Sequence, residues 1–314
     1  MKDQIINKIR KAGSALIVGH VRPDGDCIGA CLAMRQICLN AGVKVVDIAV
    51  PSNIPDAYKF LEDWQLFNKI NRSHFDLFIS VDCANIERIN RLDVFLRSAK
   101  STICIDHHLG NDGFCDINCV VPEACSCCEI LYDIFADSGL IDKVAANHLF
   151  MGLSSDTGHF MHNNVTSKVL RTAYELSLKG ADCHTIAENL YRRRTREKTM
   201  LIGRSLMGIR YYENGRIAIA ANALEDLEAC GVYPSDTEGI IDYTISVIGT
   251  DIGVSICEET EDSYKVSFRS KGIDVNEIAA EFGGGGHKYA AGCRIAGDKE
   301  EVIRKILEAI KKHW

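Results

Sequence analysis

The chain lacks any apolar run near the roughly 18 residues a membrane span needs, so no helical membrane anchor is expected. The opening MKDQIINKIRKAG has no unbroken apolar core. It alternates charges with aliphatics and reads as an amphipathic helix, not a secretory signal. Excess positive charge is also missing. A formal net charge of −7 argues against coating long nucleic acid by bulk electrostatics, while leaving room for a small anionic substrate. Paired CxxC knuckles are absent despite 14 cysteines. The densest group, Cys115, Cys119, Cys125, Cys127 and Cys128, has the wrong spacing for a zinc or iron–sulfur site and reads as small buried thiols. Unpaired thiols in this number suit a reducing, cytoplasmic setting. Aromatics make up only 7% and mark no interface, and no internal repeat is visible.

What is present is an ordinary globular composition, 46% hydrophobic and 25% charged over 314 residues, enough for one large core or two smaller ones. SALIVG (14–19), VKVVDIAV (43–50), FDLFISVD (75–82) and STICID (101–106) read as strands, with helical segments between them. Strands apolar on both faces and separated by helices imply a parallel sheet covered on both sides. Helices dominate from about 125 to 208. YRRRTREK (191–198) is the most basic run, read as a solvated helix start or linker, with a phosphate clamp as the alternative. Strands then return, with a hairpin around Asn214-Gly215. A helical pair (223–248), strands near 251–257 and 263–270, a short helix (274–282), GGGGH, a strand and a closing helix (299–313) follow. The expected fold is α/β: an N-terminal doubly wound, mostly parallel domain (1–190), a linker or helix (191–205), and a smaller α/β domain (206–314) across a cleft.

Four acid-rich clusters stand at element ends: His20-Val-Arg-Pro-Asp24-Gly-Asp26, Asp82, Asp106-His107-His108, and Asp156-Thr157-Gly158. Ligands of open α/β sheets bind outside the carboxyl ends of the strands, where the first three clusters lie. An aspartate there is often only a helix cap, and a lone histidine is more often structural. Several carboxylates on one edge, however, repel each other and are costly to bury. Divalent cations resolve that conflict, and carboxylate with imidazole suits Mn²⁺, Mg²⁺ or Zn²⁺.

The combination H-x-x-P-D-x-D, a strand-end VD, DHH and S-D-T-G resembles the DHH phosphoesterase superfamily. FRSKG (268–272) and GGGGHKYAAG (283–292) resemble its associated C-terminal domain. Among its members the chain is most similar to the nanoRNase and pAp phosphatase (NrnA-like) group. The resemblance implies two divalent ions, most simply Mn²⁺. His20 and Asp24 would hold one; Asp26, His107 and Asp156 would hold the other; Asp82 would bridge them. His108 would face the substrate phosphate and Asp106 would orient an imidazole. Arg88, Arg269, Ser270, His287 and a nest of N–H groups from Gly284, Gly285 and Gly286 would contact substrate. Where many relatives carry an arginine past S-D-T-G, this chain has Met161 and His162. The implied activity is hydrolysis of short oligoribonucleotides to mononucleotides, and of 3′-phosphoadenosine 5′-phosphate (pAp) to AMP. Alternatives are a phosphodiesterase for linear dinucleotides such as pApA, a RecJ-like single-strand exonuclease, and a non-catalytic nucleotide sensor. The expected partners are short RNA and small phosphorylated nucleotides, with no membrane and no long nucleic acid; a homodimer is the oligomer the resemblance implies.

Overall fold

Residues 14–18, SALIV, are apolar on both faces and form β1 (Ser14–Val18), buried along its length. The computed structural model describes residues 1–111 and 113–314. Helix α1 (Lys2–Lys11) precedes β1 and buries Ile5 and Ile9 one turn apart. Then come α2 (Gly25–Asn40), β2 (Val45–Ala49), β3 (Leu77–Val81), α3 (Asp93–Ser98), β4 (Ser101–Asp106) and β5 (Ile117–Val120). The sheet order is β2-β1-β3-β4-β5, and every pairing is parallel. The order reverses between β1 and β3, where α/β sheets open a crevice at the strand ends. Alternation along the strands separates two cores. Ala15, Ile17, Leu77 and Ile79 join α1, α2, α4 (Cys127–Phe135) and α5 (Lys143–Asp156) on one face. Leu16, Val18 and Phe78 pack with Ile89 and Phe95 on the other.

Two features differ from the expected reading. The connections after β2 and β3 are mostly 3₁₀ turns (Asp56–Tyr58, Glu62–Leu66, Ile86–Leu92), so the second face is covered thinly. β5 is a strand where only cysteines stood out; it is a four-residue edge strand, too short and too exposed to show a pattern. The first unit closes with α6 (Ser167–Leu178) and α7 (Cys183–Ala187).

The chain divides into two compact units, Met1–Arg193 and Arg194–Trp314. The basic run is exposed and Thr195 caps α8 (Arg196–Met207), accepting the Lys198 N–H at 3.1 Å. The second unit holds β6 (Arg210–Tyr212), β7 (Ile217–Asn222), α9 (Leu224–Cys230), α10 (Ile240–Ile245), β8 (Ile252–Thr260), β9 (Ser263–Ser270), α11 (Val275–Ala280), β10 (Gly285–His287), β11 (Ala290–Ala296) and α12 (Lys299–Lys312). Asn214-Gly215 turns the β6–β7 hairpin, with Glu213, Asn214 and Gly215 all at positive φ. The sheet order is β10-β11-β9-β8-β7-β6, antiparallel except for β7–β8. Its core lies against α11 and α12, with a smaller cluster involving α8, α9 and α10 on the other face. Among the described residues no helix is long and apolar enough to cross a membrane.

Candidate metal centre

β1 ends at Val18, and the turn that follows delivers His20, 3% exposed. Asp24 caps α2, its Oδ1 accepting the Cys27 N–H at 3.0 Å. Its Oδ2 stays 3.9 Å from His20 Nε2, on a side chain half open to solvent. Asp26 lies in the first turn of α2 and is buried, its oxygens accepting N–H bonds from Cys127 (2.5 Å) and Cys128 (3.0 Å) at the start of α4.

Asp82 follows β3 at φ 53°, a left-handed conformation that costs a non-glycine residue and persists where surroundings impose it. Its N–H donates to Ile105 O at 3.0 Å, tying the ends of β3 and β4. The carboxylate is 1% exposed. His20 Nε2 lies 3.4 Å from one oxygen, and His107 Nε2 lies 3.4 Å from the other. That second oxygen, Oδ1, accepts no hydrogen bond among the described residues. His107 Nε2 is also 3.5 Å from Asp156 Oδ2, at the end of α5. Ligand atoms of Asp26, His107 and Asp156 all lie within 4.8 Å of one another, as do those of Asp82, His107 and His108.

Proton placement is set outside the cluster. His107 Nδ1 faces Ala124 O at 3.3 Å, which favours an Nδ1 proton and frees Nε2. His20 Nδ1 lies 2.8 Å from Val21 O and 2.9 Å from Arg88 Nη2. It serves one of them: donating to the carbonyl frees Nε2, whereas accepting from Arg88 puts the proton on Nε2. Arg88 Nε has no partner among the described residues. His108 is held differently. Its Nδ1 is 2.8 Å from Asp106 Oδ1, and Asn111 Nδ2 donates to Asp106 Oδ2 at 2.7 Å. Asp106 therefore orients His108 and not His107.

The carboxylates cannot all ionise. Burial and the Asp82 charge push Asp26 up to about 7. Burial and the neighbouring Asp26, Asp24 and Asp82 push Asp156 well above the carboxylate range. Burial opposes charge on Asp82 too, yet His107 and His20 hold it far below that range. Burial likewise works against His107, but Asp82 and Asp26 carry it to about 10. A buried, proton-sharing set of acids and imidazoles with an orphaned carboxylate oxygen fits divalent cations.

Small residues let the cluster close. A Cβ at Gly152 on α5 would lie 2.7 Å from Asp26 Oδ1, and one at Gly29 on α2 would lie 2.6 Å from His148 O. Neither these glycines nor Asn111 stands out in the sequence as part of the site. Glycines inside helical runs were the one signal available.

In the second unit, Arg269 and His287 pair from either side with Ala290, in one row across β9, β11 and β10. Ser270 Oγ accepts the N–H groups of Gly272 (3.1 Å) and Ile273 (2.7 Å). Much of the glycine run's backbone is already hydrogen-bonded within the unit. Gly283 and Gly284 donate to the Ala280 and Ala279 carbonyls, Gly286 donates to Asn276 Oδ1, and Gly285–His287 is an edge strand. The glycines serve close packing: a Cβ at Gly284 would sit 2.2 Å from Gly292 O.

Comparison with known proteins agrees with this geometry. The DHH family, N-terminal domain, matches residues 14–153, and the DHHA1 domain matches residues 212–313. A Bacillus subtilis protein named bifunctional oligoribonuclease and PAP phosphatase NrnA is 28% identical, covering 99% of both chains. A Thermus thermophilus protein of the same name is 27% identical over 99% of this chain and 94% of its own. The crystal structure of an exopolyphosphatase-related protein from Bacteroides fragilis superposes with a TM-score of 0.92 at 28% identity, covering 99% and 95% of the two chains. The chain thus carries a DHH domain followed by a DHHA1 domain.

Proposed function

We propose that the chain is a cytoplasmic, divalent-metal-dependent phosphoesterase. It hydrolyses short oligoribonucleotides to mononucleotides and dephosphorylates pAp to AMP. The observation that carries this reading is the convergence of buried Asp26 and Asp82 with half-buried His107 and Asp156, and His20 beside them, in one cluster at the sheet's carboxyl edge. Relatives named for both activities, matched over nearly their full length, supply the substrate class.

His20 and Asp24 would hold one ion and Asp26, His107 and Asp156 the other, with Asp82 shared between them. Mn²⁺ is the ion proposed, because the set is carboxylate and imidazole. Bound ions would supply Lewis acidity toward water and toward the phosphoryl group. His108, fixed through Asp106 and Asn111, presents Nε2 to the phosphate and holds or delivers a proton at the leaving oxygen. Arg88, Arg269, Ser270, His287 and the backbone of Gly284, Gly285 and Gly286 are the proposed contacts to the substrate phosphates.

The test is product release from a labelled RNA trimer and from pAp with Mn²⁺. Turnover of both, abolished in Asp82→Ala, is the expected result. No turnover of either substrate by the wild type refutes the reading.

A further inference from the structure

We infer that Cys27 is a metal donor of the His20–Asp82 site, giving it a soft ligand for a thiophilic divalent cation such as Zn²⁺ or Cd²⁺. The inference rests on the two-metal reading and deepens it. Ligand atoms of His20, Cys27 and Asp82 lie within 4.8 Å of one another, and all three residues are buried. Asp24 is the weaker neighbour, half exposed, at 3.9 Å from His20, with one oxygen used as a helix cap.

The position of the sulfur is built into the turn. Cys27 Sγ accepts the backbone N–H of His20 at 3.3 Å, so its lone pairs face the His20 loop. It lies where a side chain at Gly19 would be, 2.3 Å from a Cβ placed there. It is also in the first turn of the 16-residue α2, the end of a helix that favours a thiolate. Asp82 supplies the buried carboxylate of this set: its Oδ2 lies 3.4 Å from His20 Nε2, while its Oδ1, which has no hydrogen-bond partner among the described residues, faces His107.

Without a cation, burial and the Cys31 thiol push Cys27 well above the ordinary thiol range. A coordinated thiol is deprotonated outright. As the sulfur–metal bond forms, the thiol proton leaves to solvent and no electron changes hands. Donor choice then separates metals: hard ions take the carboxylates, and soft ions also take Cys27.

The test is Co²⁺ titration of the metal-stripped full chain, followed by absorption. The wild type is expected to show a thiolate-to-cobalt charge-transfer band in the near ultraviolet beside the visible ligand-field bands. Cys27→Ser should keep the ligand-field bands and lose the charge-transfer band. Its Zn²⁺ affinity should fall by at least about tenfold, the low end of what outer-shell substitutions cost, with Mn²⁺ affinity little changed. Ligand-field bands without charge transfer in the wild type overturn the inference. So does a charge-transfer band that survives in Cys27→Ser, or no Co²⁺ binding at all. If the serine variant does not fold, Cys27→Ala and the wild-type spectrum still decide. The readout needs no turnover, so an inactive protein with the band intact refutes the proposed activity and not the thiol assignment.

Discussion

His107 and His108 are adjacent, yet their rings have different surroundings. His107 backs onto a carbonyl and turns Nε2 toward Asp82 and Asp156. His108 backs onto the buried Asp106 carboxylate. Removing each should therefore cost different things. His107→Ala is expected to weaken Mn²⁺ binding by about 10–100-fold or more, read by calorimetry. His108→Ala should keep the metal content and lower kcat by roughly 10²–10⁴. Equal metal loss in both would contradict the split. Asp106→Asn follows the same logic at one remove: kcat should fall while metal stoichiometry holds, since this side chain touches His108 and Asn111. The paired acids and imidazoles were legible because their types and spacing carry the chemistry. Asn111 was not, because its role comes from reaching the Cys83 carbonyl, 28 positions away, and Asp106 together.

Elements bring these residues together, and helix packing is where the site is most exposed to small changes. α2 carries Asp26, α5 carries Asp156, and the two helices meet through Gly29 and Gly152. A methyl group at Gly152 would press on Cys128 Sγ (2.3 Å) and Asp26 Oδ1 (2.7 Å). Gly152→Ala should destabilise the protein by about 1–3 kcal/mol, as overpacking does, and should weaken Mn²⁺ binding as well. Gly203 on α8 is the control, with nothing within 4 Å of an added Cβ. Gly203→Ala should stabilise by up to about 1 kcal/mol through helix propensity and leave the metal untouched. Thermal melts with and without Mn²⁺ separate the two. An unchanged Gly152→Ala melt would mean that α2 and α5 adjust without cost. The parallel strands were legible at this scale because burial on both faces makes a continuous apolar run. β5 is a short edge strand, and the glycines of β10 look like a loop until β11 and the Asn276 amide take up their backbone.

For the whole molecule, the proposed metal would compete with protons for one cluster, in a unit with a core separate from that of the second. In the metal-free protein His107 is raised from 6.5 to about 10 and Asp26 from 3.8 to about 7. Both shifts favour the protonated folded state. Their stabilisation is complete below the unfolded values, near 3.8 for Asp26 and 6.5 for His107, and is lost as pH rises through about 7 and about 10 respectively. Metal binding runs the other way, because each ligand must give up its proton. Between pH 7 and 9 His107 alone should release close to one proton per ion bound, so apparent Mn²⁺ affinity should rise by roughly tenfold per pH unit. At about 100 times Kd the ion adds about 2.7 kcal/mol to the state that binds it. The stabilisation on adding Mn²⁺ at fixed concentration should therefore grow from pH 7 to 9, while the metal-free protein becomes less stable over the same range. Calorimetric titrations in buffers of different ionisation enthalpy count the released protons directly. An affinity independent of pH would mean that His107 does not give up a proton to the metal.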